Sequence, residues 1–183
     1  MRGGGRGDAL RVVSDFRSLR TGRLWLRPVG YGDLAALVEL KADPRVFAVM
    51  LGGVRTPEQT ARELAEDIAF WGAHGAGMWT VRAAEGEAFL GLVGLHGRPD
   101  ARGVALRFAL HPDAQGRGYA SEAAGAALRF AHARAGLVRV IAVARESNIG
   151  SRQVLGAIGM VECETYARDG YEVLVYESVV RFI

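Results

Sequence analysis

Residues Gln115-Gly116-Arg117-Gly118-Tyr119-Ala120 join an apolar stretch to an alanine-rich one. Before them, Val104-Ala105-Leu106-Arg107-Phe108-Ala109-Leu110 reads as a buried strand, closed by His111-Pro112-Asp113. After them, Ser121 to Ala135 reads as a helix with Gly136 just beyond its end. The two glycines let a ligand approach the backbone N–H groups closely. A helix start carries roughly half a positive charge and up to about four unpaired N–H groups. Strand, glycine turn and helix start together compose a site for phosphate or pyrophosphate, held by the amides of Gly116 to Ser121. It is not a Walker A loop, because no lysine follows the glycines. It is not a Rossmann fingerprint either, because the third glycine is missing and the unit lies mid-chain.

The elements that must position this turn follow from periodicity and punctuation. Arg23-Leu-Trp-Leu-Arg-Pro28 alternates like a strand and stops at proline. Asp33 can cap a short helix to about Lys41, which Ala42-Asp43-Pro44 ends. Thr56-Pro57-Glu58-Gln59 is a capping-box start, and its helix should run to about His74. Strands are expected at Met78–Ala84, Phe89–His96 and Val104–Leu110. The helix 121–135 leads into Val138–Arg145, so strands 104–110 and 138–145 should run parallel. A helix near 148–158 and two closing strands, about 161–167 and 171–181, complete a mixed α/β sheet.

The chain has 183 residues, enough for one domain with a real core. No apolar run reaches the length of a membrane span, and the start lacks the apolar core of a signal peptide. A single cysteine, Cys163, excludes an internal disulfide and reads as a partly buried thiol in a reducing, cytoplasmic setting. The formal charge is +3, but residues 1–20 hold five arginines and two aspartates. The remaining 18 basic and 18 acidic residues cancel, so the excess sits in a Gly/Arg-rich tail, expected to be flexible, ahead of a domain over 21–183. That distribution argues against nucleic acid as the partner, although a tail of this kind could touch RNA weakly.

The pattern Gln-x-x-Gly-x-Ala at 115–120 resembles the acyl-CoA pyrophosphate loop of the GNAT N-acyltransferase superfamily. Asn148-Ile-Gly-Ser151, with Leu155 and Ile158-Gly159-Met160, resembles the next motif of that superfamily. Arg23-Leu-Trp-Leu-Arg-Pro28, Gly91-Leu-Val-Gly-Leu-His96 and Gly118-Tyr-Ala-Ser-Glu-Ala123 are similar to the RimJ/RimL-type ribosomal-protein N-terminal acetyltransferases. The resemblance covers roughly residues 20–180. It implies a GNAT fold: a mostly antiparallel sheet, a central parallel strand pair that splays, and flanking helices. It further implies acetyl-CoA or another acyl-CoA as co-substrate, no metal, an amine acceptor, and a possible homodimer. Gln115, Gly116, Arg117, Gly118, Tyr119, Ala120 and Ser121 would then hold the pyrophosphate. Phe108, Ala109 and Leu110 would hydrogen-bond the pantetheine arm like an added strand. Asn148 would meet the cofactor arm or cap the helix that follows.

Direct attack by an amine on a thioester needs a proton acceptor and a donor for the leaving thiolate. Many relatives place a tyrosine acid where this chain has Leu155; Ser151 matches the serine of the RimJ/RimL branch and is the expected donor. Carboxylates are missing at the family's two base positions, Val104-Ala105-Leu106 and Val143. His96 is the expected substitute, because histidine titrates near neutrality, with Glu146, His74, His111 or ordered water behind it. Phe70, Trp71, Trp79 and Trp25 are candidate acceptor-pocket walls. The acceptor is expected to be a peptide or protein N-terminal amine, the alternatives being a small amine or a non-catalytic acyl-CoA-binding module.

Overall fold

The structure is a computed structural model that describes residues 16–100 and 102–180. One eight-stranded sheet runs in the order β1-β2-β3-β4-β5-β6-β8-β7. Its strands are β1 (Leu19–Arg20), β2 (Leu24–Pro28), β3 (Met78–Ala83), β4 (Phe89–Gly97), β5 (Val104–Leu110), β6 (Arg139–Arg145), β7 (Val161–Arg168) and β8 (Tyr171–Val179). The helices are α1 (Leu34–Ala42), α2 (Pro44–Phe47), α3 (Pro57–His74), α4 (Tyr119–Ala133) and α5 (Ile149–Ala157). All neighbouring strands are antiparallel except β5 and β6. This is the mixed, mostly antiparallel architecture expected from the sequence. Of the expected tail, residues 1–15 lie outside the described residues; Leu19–Arg20 already pair with Leu26 and Trp25 as β1.

Local chemistry sets the helix boundaries. Thr56 and Gln59 form the expected capping box on α3, Gln59 N–H to Thr56 Oγ1 at 3.2 Å and Thr56 N–H to Gln59 Oε1 at 2.9 Å. Asp33 stands at the expected N-cap position of α1, but its side chain makes no capping bond there: it closes a preceding 3-10 turn, Tyr31–Asp33, and its carboxylate accepts from Gly30 N–H at 3.0 Å and Arg82 at 2.9 Å. The short α2 is an unforeseen element, started by Asp43, whose Oδ1 accepts from Arg45 N–H at 2.9 Å, with Pro44 in the first turn. Helix α4 begins at Tyr119, two residues earlier than expected, because Gly118 adopts the left-handed conformation (φ 77°) and itself turns the chain into the helix.

The parallel pair is where the sheet opens. Strand β5 is paired with β4 along its whole length, from Gly91↔Leu110 to Gly97↔Val104. Against β6 it makes one bridging pair, Ala105↔Ile141, and the strands then part. His111 N–H donates to Leu90 C=O at 2.8 Å. Polar groups alternate sides along a strand, so those of Ala109 face β4, whereas those of Phe108 and Leu110 face the gap.

The core packs against both halves of the sheet. Trp71, Trp79 and Phe130 meet edge to face, with centroids 4.8, 5.2 and 6.1 Å apart. The indole of Trp71 donates to Met78 C=O at 2.7 Å, so its buried N–H is satisfied. Ala123, Ala124, Ala127 and Ala131 are fully buried along α4, and their small size lets the helix lie close to the sheet. Lys41 is buried on α1 and donates to Glu63 of α3 at 2.6 Å. Arg55 takes the other oxygen of Glu63 at 2.6 Å. Such a buried pair binds two helices and the loop between them, because losing one partner strands a charge in the interior.

Burial opposes ionisation of Glu63, but the Lys41 charge and the hydrogen bonds from Lys41 and Arg55 outweigh it and bring its pKa down to about 2. The ordinary glutamate value is 4.5. A depressed carboxylate adds stability above its unfolded pKa, and that stability is lost as pH falls through the folded value. The melting temperature should therefore fall between about pH 4.5 and pH 2, and thermal melts of Glu63→Gln should show lower stability at neutral pH and a shallower acid limb.

Candidate active site

The glycine turn sits at one end of a cavity of about 740 Å³. Gly116 and Gly118 are both left-handed, at φ 71° and 77°, which only glycine adopts at low cost. Among the described residues no side chain caps the start of α4. The amides of Tyr119, Ala120 and Ser121 thus keep the open N–H groups of a helix terminus at the cavity wall. Gln115 is turned inward, its Nε2 donating to Leu110 C=O at 3.0 Å, so that this side chain braces the loop against β5.

A second clamp holds the turn from the other side. Arg23 donates to Arg117 C=O at 2.9 Å and to Glu122 at 2.8 Å, and its guanidinium lies 4.6 Å from the centre of the Tyr119 ring. Glu122, in the first turn of α4, also accepts from Thr21 Oγ1 at 2.5 Å and Arg23 N–H at 2.9 Å. Burial raises the Glu122 carboxyl, but these donors outweigh it and leave the pKa below the ordinary glutamate value.

Both sides of the strand gap line this cavity: Phe108, Ala109 and Leu110 of β5, and Asn148 to Ser151 at the start of α5. Asn148 is the cap of α5, its Oδ1 accepting from Ser151 N–H at 3.2 Å. A second cavity, of about 490 Å³, adjoins the first, and Val49, Met50, Phe108, Asn148 and Ser151 line both. The loop between α2 and α3 forms the shared wall. Arg145 holds it through Ala48 C=O at 3.2 Å and Met50 C=O at 3.0 Å, and Arg55 holds it through the carbonyls of Leu51 and Gly53.

A family model described as an acetyltransferase (GNAT) domain matches residues 23–161. The chain belongs to the GNAT acetyltransferases. It is 30% identical over 159 residues to the FsC-acetyl coenzyme A-N(2)-transacetylase of Aspergillus fumigatus, covering 81% of this chain and 67% of that protein. A solved acetyltransferase from Agrobacterium tumefaciens superposes with a TM-score of 0.80 at 29% identity, over 90% of this chain and 95% of that one. RimL, a ribosomal L7/L12 alpha-N-protein acetyltransferase solved with coenzyme A, shares the fold at TM-score 0.72 and 18% identity, over 87% and 96% of the chains. Neighbours of this GNAT domain therefore differ in acceptor.

Most of the cofactor residues expected from the sequence share the larger cavity: Phe108, Ala109, Leu110, Gln115, Gly116, Gly118, Tyr119, Ala120, Ser121 and Asn148. Arg117 does not; it is exposed, and its carbonyl is drawn back to Arg23. Ser151 stands where the two cavities meet. Of the aromatic residues, Phe70 lines the second cavity, whereas Trp71 and Trp79 are core and Trp25 lies elsewhere, against Arg20 and Arg27. Cys163 is exposed rather than partly buried, because β7 is the outer strand of the sheet and is open on both faces.

His96 lines the second cavity, with Nδ1 3.1 Å from Gly97 C=O. Burial and the nearby Arg107 charge push its pKa down to about 3. It is therefore neutral at physiological pH and a weak proton acceptor. His74 stacks on Phe70, and His111 meets the Phe89 ring edge-on; neither these nor Glu146 lines the second cavity. That cavity contains carboxylates that linear reading could not assemble: Glu63, Glu66 and Asp67 of α3. Asp67 is 7% exposed, and its Oδ2 accepts from Arg107 Nη2 at 3.3 Å. Burial raises its carboxyl above the ordinary aspartate value, with Arg107 and Lys41 opposing. The i, i+3, i+4 spacing was the available signal, since it puts these acids on one face of a helix.

If the Arg23–Glu122 clamp shapes the loop, loosening it should cost affinity without unfolding the protein. Arg23→Ala should weaken coenzyme A binding about 3- to 10-fold by calorimetry, the scale of about 1 kcal/mol for a partly exposed charged contact, with the melting temperature little changed.

Proposed function

We propose that this protein transfers an acetyl group from acetyl-CoA to a primary amine. One observation carries the reading: a cavity ending in open helix-terminus amides joins a second, carboxylate-bearing cavity at Phe108, Asn148 and Ser151. The residues suit the co-substrate. The α4 terminus offers N–H donors to a pyrophosphate, and the gap-facing backbone of Phe108 and the Leu110 N–H offer a strand edge to an amide-bearing arm, the Leu110 carbonyl being taken by Gln115. Bound there, acetyl-CoA supplies the thioester that the amine attacks. The second cavity would hold the acceptor, small enough to be a compact amine or the first residue of a peptide.

Two side chains fit the proton transfers. Asp67 keeps one carboxylate oxygen free of protein donors among the described residues and lines the acceptor cavity, so it is our proton acceptor in place of His96. A carboxylate whose basicity is raised by burial is a better base than an imidazole held near pKa 3. The Ser151 hydroxyl makes no hydrogen bond to the protein among the described residues and lines both cavities, so it can deliver a proton to the departing thiolate and recover one from solvent.

Thiol release from acetyl-CoA over a panel of amines tests the reading. Turnover is expected, with kcat reduced by on the order of 10²-fold in Asp67→Asn and at least about tenfold in Ser151→Ala, and coenzyme A affinity retained in both. Coenzyme A binding without turnover of any amine would support a non-catalytic module instead.

A further inference from the structure

Resting on the reading of the second cavity as the acceptor site, we propose that the acceptor is a small zwitterionic amine whose anionic group, carboxylate or phosphate, docks on Arg107. This goes beyond the reaction class to the chemistry of the substrate, and it separates such amines from polyamines and uncharged amines.

The starting point is the charge balance of the cavity. Five arginines line it against three carboxylates. Most of the arginines are committed. Arg55 spends its donors on Glu63 and two loop carbonyls, Arg98 is paired with Asp100, and Arg168 with Asp169. Arg145 is tied to the carbonyls of Ala48 and Met50. Arg107 differs. Among the described residues its side chain makes one hydrogen bond, the 3.3 Å contact with Asp67; its buried Nε, like that of Arg145, has no partner there, but unlike Arg145 it is tied to no carbonyl, and its side chain keeps 25% exposure. A guanidinium is a rigid fork of donors that matches carboxylate and phosphate oxygens, and most of this fork is unspent.

Its field is already felt by its neighbours. Arg107 adds to burial in lowering both His96 and Lys41. A polycation would enter against that field, whereas an anion would complete it. The same field favours the neutral, nucleophilic form of an amine held nearby. Glu66, exposed beside Asp67 and without an ion pair among the described residues, can draw the ammonium end in from solvent. The remaining walls are apolar, Phe47, Leu51, Phe70 and Pro99, and the volume of about 490 Å³ suits a compact molecule with an apolar substituent.

The test compares matched acceptors: L-phenylalanine with L-phenylalaninamide and 2-phenylethylamine, O-phosphoethanolamine with ethanolamine, and spermidine. Each is measured by thiol release and by calorimetric binding to the protein–coenzyme A complex. The anionic member of a pair should be favoured by about tenfold or more in kcat/KM, with spermidine poorest. The first pair reports a carboxylate site and the second a phosphate site. Arg107→Gln should bring the favoured pair to within about twofold, and Arg107→Lys should retain part of the preference. Preferential binding of an anionic acceptor without turnover would uphold this inference and count against the catalytic reading. Turnover of amides or spermidine equal to or faster than that of the acids would overturn it while leaving catalysis intact. Failure of every anionic acceptor to bind or react would overturn it as well.

Discussion

Two parallel strands in the middle of a sheet are obliged to satisfy their backbone polar groups, and β5 and β6 do so across one bridging pair, Ala105 with Ile141. Past that point the N–H and C=O groups of β5 that face β6 have no strand to meet. Residues from both sides of that opening line the two cavities. Strand β5 is held rigid by full pairing with β4. The glycine turn follows β5 after one short 3-10 turn, Pro112–Ala114, and α5 starts just beyond the end of β6. The opening thus has a wall of backbone donors and acceptors on one side and a helix start on the other. An extended, amide-bearing ligand is the chemical complement of such a wall.

Around the gap, charged side chains act as ties between segments distant in sequence. Arg23 and Glu122 join the β1–β2 turn to the start of α4 beside the glycine turn. Arg145 and Arg55 pin the α2–α3 loop from opposite ends. Lys41 and Glu63 bind α1 to α3 beside the second cavity, which Glu63 lines. Exposed ion pairs contribute little to stability. Here they fix the outlines of two cavities, and the partly buried ones set the protonation of what lies inside. Arg107 is common to Asp67, His96 and Lys41, so one side chain biases the protonation of three neighbouring groups at the second cavity.

What could be read from the sequence was local. A capping box needs only residues 56–59, and a glycine turn only 115–120, so both were legible and their helices followed. The two-residue error at the start of α4 came from treating Gly118 as loop when its positive φ makes it the first cap residue. Contacts across the sheet were not legible. Asp67 and Arg107 lie 40 positions apart, and Arg23 and Glu122 lie 99 apart. His96 reads as a base because histidine titrates near neutrality when free; burial in the folded sheet, joined by the Arg107 charge from the adjacent strand, lowers that basicity. Among the aromatic residues, spacing marked candidates for burial but could not tell the core ring of Trp79 from the cavity ring of Phe70.

Amide hydrogen exchange with and without acetyl-CoA addresses the gap itself. If its backbone edge and the α4 terminus hold the co-substrate, protection should rise on binding in two segments, Phe108–Leu110 and Gly116–Ser121. The fully paired strand β4 should change little. Unchanged exchange in both segments at saturating acetyl-CoA, with protection gained elsewhere, would contradict the account.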